Sequence, residues 1–289
     1  MTHGHPVNFS GRAYDFTHYS VDRETEQLDY EAIEELARKT KPELLLSGYT
    51  AYPRTIDFKR FAEIAESVGA YSMADIAHVA GLVAGGAHPS PFPFTDVVTT
   101  TTHKTLRGPR GAMIMCKSEL AKKIDKAVFP GMQGGPHENV IAAKAVAFGE
   151  ALKPDFKDYA RQVVANASAL ASALKSQGHR LVSGGTDNHL MIIDLTQKSV
   201  AGKQAERALD EAGITVNANT IRFDPRKPWD PSGIRLGTPV LTTRGMKEKQ
   251  MGEVALLVSK AVDSAGDEAA LNEIRGQVEE LCAGFPIEH

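Results

Sequence analysis

Three segments of the sequence place chemically active side chains at or just after the end of a short run that is mostly apolar or β-branched. Asp75 and His78 follow such a run in YSMADIAH, and His103 and Lys104 follow another in DVVTTTTHK. A third run, ELLLSGYT, ends at Thr50. Runs of this kind are typical of buried strands in a mostly parallel sheet, where ligands bind outside the carboxyl ends of the strands. The sequence therefore predicts that these side chains meet at one edge of a sheet.

A lysine and an aspartate at one sheet edge suit a cofactor that needs a Schiff base on one side and a carboxylate at its ring nitrogen. Pyridoxal phosphate has both requirements. Asp75 would keep the ring nitrogen protonated, so that the ring can accept the electrons of a carbanion. Lys104 must lose its proton before it attacks an aldehyde, and the neighbouring His103, Arg107 and Arg110 favour the neutral amine. Pyridoxal phosphate is the predicted cofactor.

Each of these residues has a simpler interpretation when it is taken alone. Asp75 could be the N-cap of a helix at a strand–helix turn, and Lys104 could be a solvated surface lysine. His78 and His103 could be hydrogen-bonded loop histidines. The segment LRGPRG could be a tight connection or a phosphate cradle, although it lacks the spacing of a P-loop. Only the order of the residues along the chain is specific.

The elements that must position these residues alternate between short apolar runs and helical patterns, which predicts an α/β layer architecture. We predict a large domain over residues 1–152, with a mostly parallel sheet, and a smaller α+β domain over 153–289. In the second domain the predicted strands are HLMIIDL, GITVNAN and GIRLGTP. The segments MTHGHPVNFSGRAYDF and FPGMQGGPHE are predicted to be irregular because they are rich in glycine and turn-forming residues.

The composition of the 289 residues argues against several classes of partner. A net charge of -3 provides no basic surface for nucleic acid or an anionic membrane, and no apolar run is long enough to span a bilayer. The two cysteines, Cys116 and Cys282, lie far apart, which disfavours a disulfide framework and a cysteine-rich metal site. We expect a cytoplasmic protein without a metal site and without nucleic-acid or membrane partners.

Longer blocks around these residues resemble the serine hydroxymethyltransferase family, also called glycine hydroxymethyltransferase, of the aminotransferase-like pyridoxal-phosphate enzymes. The matching blocks are THGHPVNFSG, TAYPRTIDF, DIAHVAGLVA, VVTTTTHKTLRGPRG, FPGMQGGPH, SGGTDNHLMIIDL, ITVNANT and SGIRLGTPVLTTRG. The resemblance implies the PLP-dependent transferase fold of type I, as in aspartate aminotransferase. It also implies reversible transfer of a one-carbon unit between serine and tetrahydrofolate, giving glycine and methylenetetrahydrofolate.

The resemblance also implies a role for each residue. Lys104 would form the Schiff base and Asp75 would pair with the ring nitrogen. The residues implied to surround the cofactor and the lysine are His78, Thr50, Thr101, His103 and Arg110.

Four further residues are assigned by the resemblance to substrates and to a neighbouring subunit. Arg235 would hold the substrate carboxylate, because a guanidinium presents paired donors. Asn219 matches a residue that contacts the folate pterin. Gly134 and Gly135 match a loop that binds the phosphate of the neighbouring subunit's cofactor, which implies a homo-oligomer. Taken alone, Arg235 would be an ordinary surface salt bridge, Asn219 a strand-end turn and the glycines a flexible turn.

Some positions depart from the family pattern. Thr50 stands where serine is common, Ala218 replaces a frequent lysine, and the loop TIRFDPRKPW differs from the usual sequence. These departures leave the folate contacts less well matched than the cofactor contacts. The family's N-terminal third has no counterpart here, and Met1 directly follows the position of a histidine that stacks on the cofactor ring. We therefore expect little or no turnover from the isolated chain.

Two alternatives remain open at this point. The chain could be a truncated, catalytically weak or silent subunit, or it could be a folate-independent aldolase or a transaminase on the same scaffold. The SGGTDNHL and NANT blocks argue against the second alternative.

Overall fold

The computed structural model describes residues 3–287, so the expectation about Met1 lies outside the described residues. The strands are β1 Leu44–Ser47, β2 Tyr71–Asp75, β3 Val97–Thr101, β4 Ala112–Cys116, β5 Arg180–Leu181, β6 Leu190–Asp194, β7 Asn217–Asn219 and β8 Gly233–Gly237. The helices are α1 Phe9–Ala13, α2 Tyr30–Thr40, α3 Phe58–Val68, α4 Ala80–Ala84, α5 Ser118–Lys126, α6 Glu138–Ala151, α7 Pro154–Ser176, α8 Gly202–Glu211, α9 Pro239–Thr243, α10 Glu248–Asp263 and α11 Glu268–Ala283.

The first sheet has the strand order β1-β2-β3-β4. Strands β1, β2 and β3 run parallel and β4 is antiparallel to β3, so the prediction of a mostly parallel sheet is confirmed. Helix α3 covers this sheet with an apolar face, and it ends at Gly69, whose φ of 74° suits a left-handed C-cap. Because β1, β2 and β3 are parallel, their carboxyl ends meet at one edge.

The second sheet has the order β5-β6-β8-β7 and is antiparallel throughout. Every residue of β6 is buried, which explains its uninterrupted apolar sequence. Helices α7, α8 and α10 pack over it and contribute most of the second hydrophobic core. This sheet holds β8, and thereby Arg235, in a fixed register with β6 and β7.

Helix α7 contacts both cores. Its first half, with Phe156 and Val163, packs against apolar side chains of the first half of the chain, whereas its second half, with Leu170 and Leu174, belongs to the second core. A division at residues 152 and 153 therefore stays a prediction, because this helix is shared by the two layers.

Three segments differ from the predicted elements. MTHGHPVNFSGRAYDF contains the short helix α1, because the Asn8 side chain accepts a hydrogen bond from the Ser10 N–H and begins a turn. The wide helical turn Ala127–Met132 enters FPGMQGGPHE. Only the last three residues of GITVNAN form a strand, β7, which pairs with β8. Residues 215 and 216 make no strand pairing. The two-residue strand β5 was not predicted, because so short a run has no detectable alternation.

A loop of the second half, residues 183–189, lies against the segment that follows β1, and we call it the docking loop. The Asp187 carboxylate accepts hydrogen bonds from Arg54 Nη1 at 2.8 Å and from Thr55 N at 3.1 Å. Its own N–H donates to the Pro53 carbonyl at 2.8 Å. Asn188 Nδ2 donates to the Tyr52 carbonyl at 3.0 Å. These bonds fix the docking loop to the first half of the chain near Thr50.

Candidate active site

Asp75 is the last residue of β2, at the carboxyl edge of the first sheet. Its Oδ2 accepts a hydrogen bond from His3 Nε2 at 2.9 Å, and its Oδ1 accepts one from the Ala77 N–H at 3.0 Å. Burial would raise the pKa of this carboxyl. The two hydrogen bonds and the nearby charges of His3 and Lys104 outweigh burial and lower the pKa below its usual value. Asp75 is therefore a carboxylate at neutral pH.

Lys104 emerges just after β3, in the turn that leads to β4. Its Nζ donates to Thr101 Oγ1 at 2.9 Å. Partial burial lowers the pKa of the Lys104 amine, and the charges of Arg110 and Arg235 act in the same direction, whereas Asp75 opposes them. The amine thus loses its proton more readily than a surface lysine does.

The turn that carries Lys104 is fixed by buried threonines. Thr102 Oγ1 donates to the Pro109 carbonyl at 2.6 Å, and the Gly108 N–H donates to the Thr102 carbonyl at 2.7 Å. Thr105 Oγ1 donates to the His78 carbonyl at 2.9 Å and accepts from the Gly81 N–H at 3.0 Å. Thr105 therefore ties the lysine turn to the segment that carries His78.

His78 lies three residues beyond the end of β2 and is held as a neutral ring. Burial, together with the positive charges of Arg235 and Lys104, lowers the pKa of His78 to about 4, although Asp75 acts in the opposite direction. Its ring lies against that of His189, with centroids 6.0 Å apart and an interplanar angle of 18°.

Arg235 reaches this group from the second sheet. It lies in β8 between Asn217 of β7 and Ile192 of β6, and its Nη1 donates to the Thr50 carbonyl at 2.8 Å. Burial lowers the pKa of the guanidinium, which remains positively charged at neutral pH. A cavity of about 360 Å³ lies between Arg235, His78 and Asn217, so the guanidinium borders a space that a small molecule can enter.

His103 directly precedes Lys104 in the chain, and the charge of Arg110 acts on the Lys104 amine. The Nδ1 atom of His103 is buried and has no hydrogen-bond partner within the described residues. Burial and the charges of Lys104 and Arg110 lower the pKa of His103. Arg110 is exposed.

Four predicted residues are not part of this group through their side chains. The Thr50 side chain is exposed, and only its carbonyl contacts Arg235. Asn219 Nδ2 donates to the Thr220 carbonyl at 2.7 Å, and it is Asn217 that lies opposite Arg235. Gly134 and Gly135 lie in an exposed loop, where an added Cβ would meet no atom within 4 Å.

Two comparisons with known proteins identify the family of this chain. The family model for serine hydroxymethyltransferase matches residues 1–258. The chain is 57% identical over 287 residues to a serine hydroxymethyltransferase of Myxococcus xanthus (strain DK1622), and the match covers 99% of this chain and 69% of that protein. The chain belongs to the serine hydroxymethyltransferase family. Its fold is that of the PLP-dependent transferases, and it is an enzyme of the transferase class.

Serine hydroxymethyltransferases generally depend on pyridoxal phosphate, and the residues of this chain fit that group. The fit rests on the donor set: an amine that loses its proton readily in Lys104, a carboxylate held ionised in Asp75, and the unpartnered, buried Nδ1 of His103. Asp75 ends β2 and Lys104 follows β3, and because these neighbouring strands are parallel, the two groups lie at one edge of the sheet.

The sequence of this serine hydroxymethyltransferase family member did not reveal three members of the site. His3 pairs with Asp75 from 72 positions away, Asn217 lies opposite Arg235, and His189 stacks on His78. His189 and Asn217 lie within the matching blocks SGGTDNHLMIIDL and ITVNANT. Membership of these blocks was the one feature of the sequence that indicated a place in the site. No local pattern indicated which member of each block would face the cavity.

Proposed function

We propose that this enzyme binds pyridoxal phosphate through Lys104 and moves a one-carbon unit reversibly between serine and tetrahydrofolate, giving glycine and methylenetetrahydrofolate. The observation that carries the proposal is the convergence of Lys104, Asp75 and Arg235 around a neutral His78, in a chain of the serine hydroxymethyltransferase family. An amine, a carboxylate and a guanidinium are the three charged groups that an amino-acid-converting site of this kind needs.

Lys104 and Asp75 would hold opposite sides of the cofactor. The Lys104 amine, oriented by Thr101, would bond to the aldehyde, and the ionised Asp75 would accept a hydrogen bond from the ring nitrogen. When bound, pyridoxal phosphate supplies a protonated ring that withdraws electrons from the amino-acid Cα. Arg110 and Arg235 keep the surroundings of Lys104 positive, which favours release of its proton, and the uncharged His103 precedes the lysine.

Arg235 would hold the substrate carboxylate. One of its nitrogens already donates to the Thr50 carbonyl, which fixes the plane of the guanidinium and leaves further N–H groups to bind a carboxylate as a pair. A neutral His78 beside it adds no competing positive charge and can accept or donate a single proton. Asn219 and Asn217, on β7, would contact the folate at the far side of the cavity.

A homo-oligomer in the cytoplasm is the proposed state of the protein. The loop with Gly134 and Gly135 is exposed, and a Cβ added at either glycine would meet no atom of the described residues within 4 Å, which supports access of its backbone N–H groups to a phosphate held by a second subunit. No helix within residues 3–287 is long and apolar enough to cross a membrane.

Replacement of Lys104 tests the proposal. After addition of pyridoxal phosphate to the 289-residue chain, we expect a visible absorbance band of lysine-bound cofactor that is lost in Lys104→Ala. Lys122→Ala, which removes an exposed lysine of α5, should retain the band. A band that persists in Lys104→Ala would exclude Lys104 as the attachment site.

Serine cleavage measured with and without tetrahydrofolate then addresses the reaction. Cleavage that requires tetrahydrofolate supports the proposal, whereas equal cleavage of a β-hydroxy amino acid without it favours the aldolase alternative. The expectation of little turnover from the isolated chain stays a prediction, and the absorbance readout does not depend on it.

A further inference from the structure

His189 is a buried histidine beside the site to which neither the sequence nor the proposed chemistry assigns a role. It is 6% exposed, and its Nδ1 has no hydrogen-bond partner among residues 3–287. Because its Nδ1 gains no hydrogen bond there, the ring of His189 contributes at this position through what it packs against.

The backbone of His189 is firmly held. It is the last residue of the docking loop and directly precedes β6, and its carbonyl accepts a hydrogen bond from the Thr238 N–H at 3.0 Å. The neighbouring Asn188 is bonded to the Tyr52 carbonyl. The ring of His189 therefore projects from a rigid position where the two halves of the chain meet.

The ring of His189 contacts a residue of the other half of the chain. Its plane lies within 18° of the His78 plane, and the two ring centroids are 6.0 Å apart. On the opposite side, Thr105 holds the His78 carbonyl. His78 is thus fixed by its backbone from one half of the molecule and by its ring from the other.

We propose that His189 is a positioning residue whose ring forms the surface against which the His78 ring lies, keeping that ring oriented toward the cavity and shielded from water. The inference rests on the proposed function only for the statement that His78 works in this site.

The charged groups around the two rings, together with burial, set the pKa of His78, which removal of His189 would change. His78 faces Lys104 and Arg235, which disfavour its protonation, and Asp75, which favours it. His189 faces His78, Arg235 and His88. Burial is the largest of the effects that keep His78 neutral, so admitting water on its stacked side should raise the pKa of His78 toward 6.5.

The experiment follows the His78 ring signal by NMR as pH is varied, in the 289-residue chain without added cofactor. In the unchanged chain we expect a pKa of about 4. In His189→Ala the pKa should rise by about one unit or more, because water fills the space that the ring leaves. In His189→Phe, which restores a flat ring without nitrogen, it should stay within about half a unit of the unchanged chain.

His179 provides a matched control. It is also buried, also has an unpartnered Nδ1, and lies in the second half of the chain, but its Nε2 contacts Ser259 instead of the site. His179→Ala should therefore leave the pKa of His78 unchanged, even if it lowers the melting temperature.

Two results would overturn the inference. The first is an unchanged His78 titration in a folded His189→Ala protein, and the second is a rise in His189→Phe as large as that in His189→Ala. If His189→Ala does not fold, His189→Gln replaces it in the experiment, because glutamine keeps most of the volume but has no flat ring. His189→Gln should raise the pKa of His78. An unchanged pKa of His78 in that variant would count against the inference. Failure of cofactor binding at Lys104, with the expected shifts intact, would reject the proposed function and leave the role of His189 standing.

Discussion

Buried histidines next to cations set the charge of the site. His78 and His189 stay neutral because burial and the neighbouring Arg235 make a second positive charge unfavourable. The same surroundings lower the pKa of Lys104. The site therefore carries a positive charge on Arg235, where a substrate carboxylate can use it, and leaves the rings of His78 and His189 uncharged.

These histidines make stability depend on pH. The pKa is lowered to about 4 in His78 and to about 3 in His189, and burial also lowers the pKa of His88 and His179. Below pH 6.5 and above its own folded-state pKa, each of these histidines binds a proton in the unfolded chain and not in the folded chain, so the free energy of unfolding falls as pH falls. Each histidine contributes up to about 1.4 kcal/mol per pH unit. Above pH 6.5 these histidines are neutral in both states, so none of the free energy of unfolding is lost through them.

Urea unfolding measured from pH 7.5 to 4.5 checks this expectation. A free energy of unfolding that stays constant between pH 6.5 and 5 would show that these rings accept protons in the folded protein.

At the scale of elements, the position of Lys104 depends on how closely its turn approaches helix α4. A Cβ added at Gly81 would lie 2.0 Å from the Thr105 carbonyl oxygen, a backbone atom that cannot move aside easily. The Gly81 N–H also bonds to Thr105 Oγ1. Only glycine permits α4 and the lysine turn to come this close.

Gly81→Ala should lower the free energy of unfolding by about 2 to 3 kcal/mol, because the clash forces α4 away from the lysine turn. Gly252→Ala is the control, since Gly252 lies in α10 with no atom within 4 Å of its added Cβ. This second change should be neutral or stabilising by up to about 1 kcal/mol, because alanine favours a helix. Thermal or urea unfolding of both variants measures the two changes in free energy of unfolding. Equal changes would contradict the explanation by close contact.

The sequence predicted the elements better than it predicted the contacts between them. Strands β1 and β6 were recognisable because each contains a short, continuous apolar run between turn signals. Strands β2, β3 and β8 were recognisable as short segments with at most one charged residue, bounded in the same way. The edge that gathers Asp75, His78 and Lys104 followed from the parallel order. The stacking of His189 on His78 could not be predicted, because it depends on how the docking loop packs against the first half, and no local periodicity encodes such packing.

At the scale of the whole molecule, one surface is unusually apolar. Helix α6 is exposed along most of its length, with Ala147 as its buried residue. Val146 is 65% exposed, Leu152 84% and Met132 76%. Exposed apolar side chains on and next to one helix are typical of an interface, because contact with water is unfavourable.

We expect the chain to associate in solution through this surface, and light scattering over a range of concentrations measures it. Replacing Val146 and Leu152 together with glutamate should shift the population toward the monomer. Val240→Glu, at an equally exposed valine of α9 in the second half of the chain, should not. A monomer at all concentrations in the unchanged chain would contradict the proposed homo-oligomer.

The docking loop affects the Arg235–Thr50 bond and the separation between Arg235 and Lys104 differently. Arg235 and the docking loop belong to the second half of the chain, and the loop is bonded to residues 52–55, which lie next to Thr50. A small rotation of the second sheet would therefore carry Thr50 along with Arg235 and preserve their bond. The same rotation would change the separation between Arg235 and Lys104, which sits in the rigid turn after β3. The bond that orients Arg235 therefore tolerates such a rotation better than the separation between Arg235 and Lys104 does.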